Sequence, residues 1–483
     1  LIPLSISTMT AASSTLNFIS ARALRNLAIL SALLALIFHV KEARIAVPEY
    51  PKRPEVAHVD CARIADGDAV YAKSLSRVKL VPVQNLDMGC AAVRKRVTNR
   101  HNPPTGFPIA FAKVVHQDYE FLEEQLAVNF ADEHSFCFAL DKKAPLSFRR
   151  RIMALSVCLP NVFLADQEYD TDSAGHYHNH ALLDCMKVVR QRQWNYVMFL
   201  QNHDIMIKSN RELADVFTAL NGANDAEMVS CPHAAWDIRC EISEMNLGKL
   251  DLCPSGLSQE EHASCASQNI QLAKGWTQVS LARETADYID ERLNLTTFLG
   301  VLNAQRYGVD EMLMQSLLAT KALGIPGTYP PKCLYENDSA APTNTMFITR
   351  LTHWSWWASY GCRSGMWRNE LCVFGVEDVN HLAGVHQIMA NKMLPSMDYG
   401  AISCIGEMLF NRTHYGLEDH PLDMNIYHNL PAVRLQRAVL ADADNFDRFD
   451  CHKFPKRKAV QPTLYDKLHD FVVRHWYRGN RAF

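Results

Sequence analysis

Four apolar runs that alternate with helical patterns constrain the fold of this chain more than any other feature. The runs are PIAFAKVV (108–115), HSFCFAL (134–140), NVFLA (161–165) and WNYVMFLQ (194–201). In the segments between them, apolar residues recur at helical spacing, as in residues 119–130 after the first run. Strands that are apolar on both faces and alternate with helices indicate a parallel sheet covered on both sides. The sequence therefore predicts an α/β fold with a mostly parallel central sheet flanked by helices.

Polar residues directly after these runs mark the predicted ligand-binding edge, because open α/β sheets bind ligands beyond the carboxyl ends of their strands. These residues are His116 and Gln117, Asp141 with Lys142 and Lys143, and residues 202–204. Asp141 can accept a hydrogen bond from a base or ribose, and the lysines can bind phosphate, although a solvated turn explains the same DKK triplet. No glycine-rich phosphate-binding loop follows the first run, which disfavours a Rossmann dehydrogenase or a P-loop enzyme.

An acidic pair opens the segment YGVDEMLMQSLLATKALG, residues 307–324. Asp310 is placed to cap a helix of roughly three to four turns, and Gly324 suits the end of that helix. Glu311 then falls in the first turn. There the helix dipole favours an ionised carboxylate, which suits a general base at neutral pH. A purely structural acidic turn fits the same residues.

Charge and cysteine content narrow the class of protein. With 49 basic and 52 acidic residues, the chain gives no electrostatic reason to expect a nucleic-acid partner. Its fourteen cysteines lack CxxC pairs, so disulfides in an oxidising compartment are favoured over zinc. The histidines of HYHNH, residues 176–180, alternate at strand spacing ahead of a helical pattern, which argues against a shared metal site. Sequons at Asn294, Asn337 and Asn411 agree with a secretory route.

Eight motifs in chain order resemble those of the core-2 and I-branching β-1,6-N-acetylglucosaminyltransferases. They are FPIAFAKVVHQ, FCFALDKKA, LPNVFLA, ALLDCMKVV, YVMFLQNHDIMIKSN, GVDEML, LCVFGVEDV and ANKMLPSMDYGAISCIGE. They extend over residues 107–411. The resemblance implies a GT-A-like nucleotide-sugar transferase fold in a Golgi type II membrane enzyme. It also implies an inverting reaction without metal or other cofactor, and only Asp204 stands where metal-dependent transferases carry Asp-x-Asp.

The resemblance further implies roles for single residues. Glu311 would be the catalytic base that deprotonates the acceptor hydroxyl, and Arg368 and Lys392 would hold the diphosphate. The residues implied to seat uridine are Val115, His116, Gln117, Asp141, Lys142 and Lys143. The residues implied to border the acceptor are Arg350, Trp354 and Trp356. The implied disulfides are Cys61–Cys404, Cys90–Cys158, Cys137–Cys185 and Cys362–Cys372.

The N-terminus suggests how such an enzyme would be anchored. Residues 27–40 are apolar and follow Arg22 and Arg25, as expected when the N-terminal side stays cytosolic. The run is short for a bilayer, so a secretory signal core is an alternative, but no small-x-small cleavage site follows it. We expect a cytosolic tail (1–26), a membrane anchor (27–40), a proline-rich stem (41–105), a catalytic domain (106–430) and a C-terminal extension (431–483).

Departures from the family pattern leave the substrate open. GHYHNH stands where relatives often have a tryptophan, and one extra residue separates Arg368 from Cys372. The cysteines without counterparts are Cys231, Cys240, Cys253, Cys265, Cys333 and Cys451. We expect transfer of N-acetylglucosamine from UDP-GlcNAc to a galactose or N-acetylgalactosamine hydroxyl of an O-glycan, as in β-1,6 branching. The alternatives are the same fold with UDP-xylose or UDP-glucose, and a lumenal carbohydrate-binding protein without turnover.

Overall fold

A computed structural model of the chain describes residues 49–99, 102–230, 245–333, 347–355, 361–417 and 419–450. The first α-helices are α1 (Cys61–Ala65), α2 (Ala69–Ser74), α3 (Cys90–Thr98), α4 (Tyr119–Asn129), α5 (Leu146–Cys158), α6 (His178–Val189), α7 (Asn210–Leu220) and α8 (Gln259–Ala266). They are followed by α9 (Arg283–Arg292), α10 (Thr296–Asn303), α11 (Leu313–Ala319), α12 (Val379–Gly384), α13 (Tyr399–Tyr415), α14 (Met424–His428), α15 (Pro431–Ala441) and α16 (Asn445–Arg448).

The strands of the described residues are β1 (Ile109–Val115), β2 (Ser135–Leu140), β3 (Val162–Leu164), β4 (Tyr196–Gln201), β5 (Ile205–Met206), β6 (Val229–Ser230), β7 (Ala273–Lys274), β8 (Ser280–Ala282), β9 (Arg350–Leu351), β10 (Trp367–Arg368), β11 (Leu371–Cys372) and β12 (Met389–Ala390). The main sheet has the order β3-β2-β1-β4-β8. Its first four strands are parallel, and β8 pairs antiparallel with β4 at the edge. A smaller sheet has the order β5-β12-β9. The predicted α/β class with a mostly parallel sheet is confirmed.

The two faces of the main sheet belong to two different cores, because successive side chains of a strand point to opposite sides. Phe111 of β1 packs in one core with Phe136 of β2 and with residues of α13. Ala112 packs in the other core with Leu182 of α6. Full burial of one large apolar side chain such as Phe111 contributes about 1.5–3 kcal/mol. The sheet is thus apolar on both faces, as the four runs predicted.

Disulfides join the sheet to its surroundings. The four implied pairs, Cys61–Cys404, Cys90–Cys158, Cys137–Cys185 and Cys362–Cys372, are confirmed. A fifth, Cys253–Cys265, lies in the segment where the sequence left the pairing open. Each cysteine within the described residues is disulfide-bonded. Cys231, Cys240 and Cys451 lie outside the described residues.

Much of the predicted stem is folded against the body of the protein. Residues from Tyr50 onward belong to one compact unit. Arg77 donates to Glu377 at 2.7 Å and to Asp398 at 2.6 Å, and Lys52 pairs with Glu407 at 2.7 Å. At the other end of the chain, α15 contributes apolar residues to both cores. None of the helices in the described residues is long and apolar enough to cross a membrane, and the predicted anchor, residues 27–40, lies outside them.

Residues 307–324 do not form the predicted continuous helix. They form a 3-10 turn (Val309–Glu311), then α11, then a second 3-10 turn (Lys321–Leu323). The backbone leaves the helical region at Met312, with φ −122°, and at Thr320, with ψ 94°. The backbone carbonyl of Glu311 accepts a hydrogen bond from the N–H of Gly275 at 2.9 Å. In a continuous α-helix that carbonyl would accept a hydrogen bond from the N–H four residues later. Because it accepts from Gly275 instead, the first turn ends there. Gly324 closes the segment in the left-handed region, as predicted, with φ 63°.

Candidate active site

Glu311, the predicted base, lies at the end of the first 3-10 turn with 22% of its side chain exposed. Its carboxylate forms an ion pair of 2.9 Å with Lys274, a residue that the sequence did not single out. Burial raises the pKa of Glu311 above its usual range, the charge of Lys274 opposes that rise, and neighbouring Asp310 adds to it. Glu311 lies in a short 3-10 turn and not in the first turn of the predicted helix, so the helix dipole that was expected to favour its ionised form does not apply there. A raised pKa makes the carboxylate a stronger base, which still suits proton removal.

Asp310, the predicted helix cap, has a different role. Gly308 precedes the 3-10 turn, and the Asp310 side chain instead accepts a hydrogen bond from the hydroxyl of Thr277 at 2.6 Å. His178 approaches the same carboxylate at 3.6 Å. Gly175 has φ 93°, and a Cβ atom there would lie 1.9 Å from the Asp310 carboxylate. Only glycine therefore fits at this position of the GHYHNH segment.

Arg350, implied to border the acceptor, is buried with 5% of its surface exposed. Its guanidinium donates to the side-chain oxygen of Gln278 at 2.7 Å and to that of Asn391 at 3.0 Å. Its positive charge acts on both Glu311 and Lys392. Arg350 is therefore close to both the predicted base and the predicted diphosphate site.

Lys392 and Arg368, implied to hold the diphosphate, lie near each other. Burial, followed by the charges of Arg350 and Arg368, lowers the pKa of Lys392 to about 8. Arg368 is exposed on the hairpin β10–β11. Asn369 and Glu370 form its two-residue loop with φ 49° and 64°, the conformation that two-residue hairpins favour. The charge of Arg368 acts on Lys392, so the two side chains lie in one neighbourhood.

Asp204, at the place of the Asp-x-Asp motif, is held by neutral groups. One carboxylate oxygen accepts from the side chain of Asn391 at 2.8 Å. The other accepts from the side chain of Gln278 at 3.0 Å and from the backbone of Gln201 at 2.6 Å. Asn391 and Gln278 also bind Arg350, so one hydrogen-bond network joins the aspartate to the arginine. In the part of the chain that the structure describes, no three His, Cys, Asp or Glu residues are grouped so that they could hold a metal ion.

The residues implied to seat uridine lie at the carboxyl ends of β1 and β2. Val115 is the last residue of β1, and the backbone N–H groups of His116 and Gln117 donate to the side chain of Asn202 at 2.8 and 3.2 Å. The charges of Asp141 and His178 act on His116, whose pKa is lowered mainly by burial. His178 in turn approaches Asp310 beside Glu311. This edge is therefore continuous with the surroundings of the base.

Asp141, Lys142 and Lys143 form hydrogen bonds or ion pairs within the protein. The Asp141 carboxylate accepts from the hydroxyl of Thr171 and from the backbone N–H of Lys143. Lys143 pairs with Asp170 through its ammonium group. Lys142 is exposed, and its backbone N–H donates to the carbonyl of Tyr169 at 2.9 Å. In this structure, Asp141 therefore orders the loop that follows β2.

The three histidines of HYHNH have separate partners and do not converge. His176 contacts Asp172 at 2.8 Å and the carbonyl of Gln305 at 2.9 Å. Hydrogen bonds to that carbonyl and to Asp172 raise the pKa of His176. His180 contacts Asn303 at 3.3 Å. The segment thus links the start of α6 to the turn that carries Glu311.

An aromatic stack adjoins Arg350. The rings of Trp354 and Trp276 are stacked 5.6 Å apart at an interplanar angle of 11°. The guanidinium of Arg350 lies 4.8 Å from the centre of the Trp276 ring. Trp356, also implied to border the acceptor, lies outside the described residues. Trp276 was not predicted, because KGWTQ before β8 has neither a periodic pattern nor a recognisable motif.

Gly275 offers a direct test of how the base is positioned. A Cβ atom there would lie 1.9 Å from the backbone oxygen of Glu227, and the N–H of Gly275 binds the Glu311 carbonyl. We expect Gly275→Ala to destabilise the fold by about 1–3 kcal/mol, as overpacking does, and to lower the catalytic activity of the site. Thermal denaturation and initial rates measure the two effects. Gly300→Ala, which meets nothing within 4 Å on α10, is the matched control and should not lower Tm. Equal Tm values for the two variants would contradict this account of Gly275.

Comparisons with known proteins agree with this geometry. Residues 109–383, more than half of the chain, match the model of the Core-2/I-Branching enzyme family. Human beta-1,3-galactosyl-O-glycosyl-glycoprotein beta-1,6-N-acetylglucosaminyltransferase 3 is 27% identical over 328 residues, which cover 65% of this chain and 70% of that protein. The sheep protein of the same name is 27% identical over 325 residues, with the same coverage of both chains. The corresponding protein of bovine herpesvirus 4 is 26% identical over 325 residues, again covering 65% and 70%. The chain therefore belongs to the Core-2/I-branching enzyme family, a family of glycosyltransferases.

Proposed function

We propose that this protein transfers N-acetylglucosamine from UDP-GlcNAc to a hydroxyl group of an O-glycan, forming a β-1,6 branch by inversion and without a metal ion. The relatives named above are β-1,6-N-acetylglucosaminyltransferases, which supports the donor and the linkage. The observation that carries the proposal is the grouping of Glu311 with several cations. Lys274 pairs with Glu311 at 2.9 Å, and Arg350 donates to Asn391, the residue before Lys392, at 3.0 Å. The charge of Arg350 acts on both Glu311 and Lys392, and that of Arg368 acts on Lys392.

The reaction proceeds by direct displacement. Glu311 takes the proton of the acceptor hydroxyl as its oxygen attacks C1 of the donor sugar, and the bond from C1 to the diphosphate oxygen breaks. The electron pair of that bond leaves with UDP, whose added negative charge Lys392 and Arg368 stabilise. Positioned cations can stabilise such a leaving group. The oxygens of the Asp204 carboxylate accept hydrogen bonds from Asn391, Gln278 and Gln201, and its negative charge acts on Lys392 and Arg350.

A donor screen in the presence of a chelator tests the proposal. We expect the purified protein to transfer sugar from UDP-GlcNAc at the same rate in EDTA as in Mn²⁺, and to use UDP-xylose and UDP-glucose poorly. A metal-dependent galactosyltransferase in the same buffers is the control, because its activity must disappear in EDTA. Loss of activity in EDTA and recovery with Mn²⁺ would refute metal independence. Use of UDP-xylose or UDP-glucose alone would refute the donor, and no turnover with any donor would favour a binding protein.

We also propose that the enzyme is a Golgi type II membrane protein. In this arrangement residues 1–26 are cytosolic, residues 27–40 are the anchor, a stem begins at residue 41, and the catalytic domain (106–430) is lumenal with its C-terminal extension. The disulfides support a lumenal location, because they persist in oxidising compartments. Protease digestion of sealed Golgi vesicles tests the orientation. Cleavage of the catalytic domain without detergent would exclude it.

A further inference from the structure

The proposed base has a cationic neighbour to which the mechanism above assigns no step. The ammonium group of Lys274 lies 2.9 Å from the carboxylate of Glu311, and 13% and 22% of the two side chains are exposed. We propose that Lys274 is a positioning residue that holds the Glu311 carboxylate in the orientation from which it removes the acceptor proton. This inference rests on the proposed function, in which Glu311 is the base.

The chain fixes Lys274 from several sides. Lys274 belongs to β7, which pairs antiparallel with β6. The preceding residue, Ala273, exchanges hydrogen bonds with the hydroxyl of Ser316 on α11, at 3.1 Å through its N–H and at 3.2 Å through its carbonyl. The next residue, Gly275, donates to the Glu311 carbonyl at 2.9 Å. Residues 274 and 275 therefore contact the side chain and the backbone of the same glutamate. Such an attachment at two points restricts where the carboxylate can lie.

Besides orienting the carboxylate, Lys274 affects the charge state of Glu311, together with the other charged groups around it. Lys274 approaches from β7, Arg350 from β9, Asp310 from the same turn, and Tyr307 from the residues before it. Burial and the charge of Asp310 favour the protonated carboxyl, whereas Lys274 and Arg350 favour the ionised form. Arg350 directs its hydrogen bonds to Gln278 and Asn391. Lys274 is in direct contact with the base. Without it, protonation of Glu311 would extend to higher pH.

The pH dependence of kcat/KM separates this role from a merely structural one. A base must be ionised, so activity falls as the pH drops through the pKa of Glu311. We expect Lys274→Met to move this acidic limb upward by about one to three pH units, the size of the effect that a close opposite charge has on a carboxyl group. Lys274→Arg keeps the positive charge and should leave the limb near its wild-type position. If the methionine variant does not fold, Lys274→Gln takes its place.

Lys321→Met is the matched control. This lysine forms an ion pair of 2.7 Å with Asp447, but 59% and 69% of the two side chains are exposed, so its loss should leave kcat/KM and the limb unchanged. If the wild-type protein transfers sugar from none of the UDP-sugars, the proposed function itself is overturned. If the wild type is active and Glu311→Gln is not, an unmoved acidic limb in Lys274→Met overturns the role of Lys274 alone. A loss of rate that is the same in Lys274→Met and Lys274→Arg and does not change with pH also overturns it, because that pattern does not depend on the positive charge that holds the carboxylate.

Discussion

Glu311→Gln will lower kcat by about 100- to 10,000-fold, the range that a positioned general base contributes, while UDP binds with nearly unchanged affinity. The amide keeps the size of the side chain but cannot take the acceptor proton. Its effect should fall on turnover because the cations that meet the diphosphate, Lys392 and Arg368, belong to other segments of the chain. Initial rates at saturating UDP-GlcNAc and calorimetric titration with UDP measure the two quantities.

Glu291→Gln provides the matched control for this substitution. Glu291 pairs with Arg190 at 3.2 Å on the surface, with 56% of its side chain exposed, and loss of such a pair costs little. It should retain wild-type kcat. The rate of the wild-type enzyme should also fall as the pH drops through the raised pKa of Glu311, where the carboxylate becomes protonated. Turnover of Glu311→Gln within a few fold of the wild type would remove Glu311 as the base.

The fold could be predicted from the sequence because the pattern that indicates each strand lies within one short stretch of residues. The runs that form β1 to β4 are apolar on both faces, and only a sheet covered on both sides buries both faces. The segment that carries Glu311 could not be predicted in the same way. Its capping residues and apolar spacing suit a helix, but the backbone of Gly275 takes the Glu311 carbonyl. That contact joins residues 36 positions apart, and no local pattern contains it.

The site residues that belong to sequence motifs could be predicted. Those that reach the site only through packing of distant segments could not. Motifs indicated Glu311, Arg368 and Lys392, and the charge of Arg350 acts on both Glu311 and Lys392, as that of Arg368 acts on Lys392. Lys274 and Trp276 lie in a segment without periodicity, and only their contacts in the folded protein, with Glu311 and with Arg350, show that they face the site. The location of Arg350 depends on Gln278 and Asn391, which come from two other segments.

Lys392→Met will lower kcat by about 100- to 1,000-fold, as the removal of one group that stabilises developing negative charge does elsewhere. The side chain is half-buried near Arg350 and Arg368, so removing its charge leaves the departing diphosphate with one partner fewer. UDP should also bind more weakly, which distinguishes this variant from Glu311→Gln. Lys249→Met, at an exposed lysine, is the control and should keep wild-type kcat and affinity.

The alkaline side of the pH profile also tests the role of Lys392. Burial and the neighbouring cations lower the pKa of Lys392 to about 8, so the free enzyme loses this charge as the pH rises through about 8. The kcat/KM of the wild type should therefore fall on the alkaline side near pH 8. In Lys392→Arg the guanidinium stays charged over this range, so the fall should move to higher pH even if the planar group lowers the maximum rate. An alkaline limb that stays near pH 8 in Lys392→Arg would assign the titration to another group.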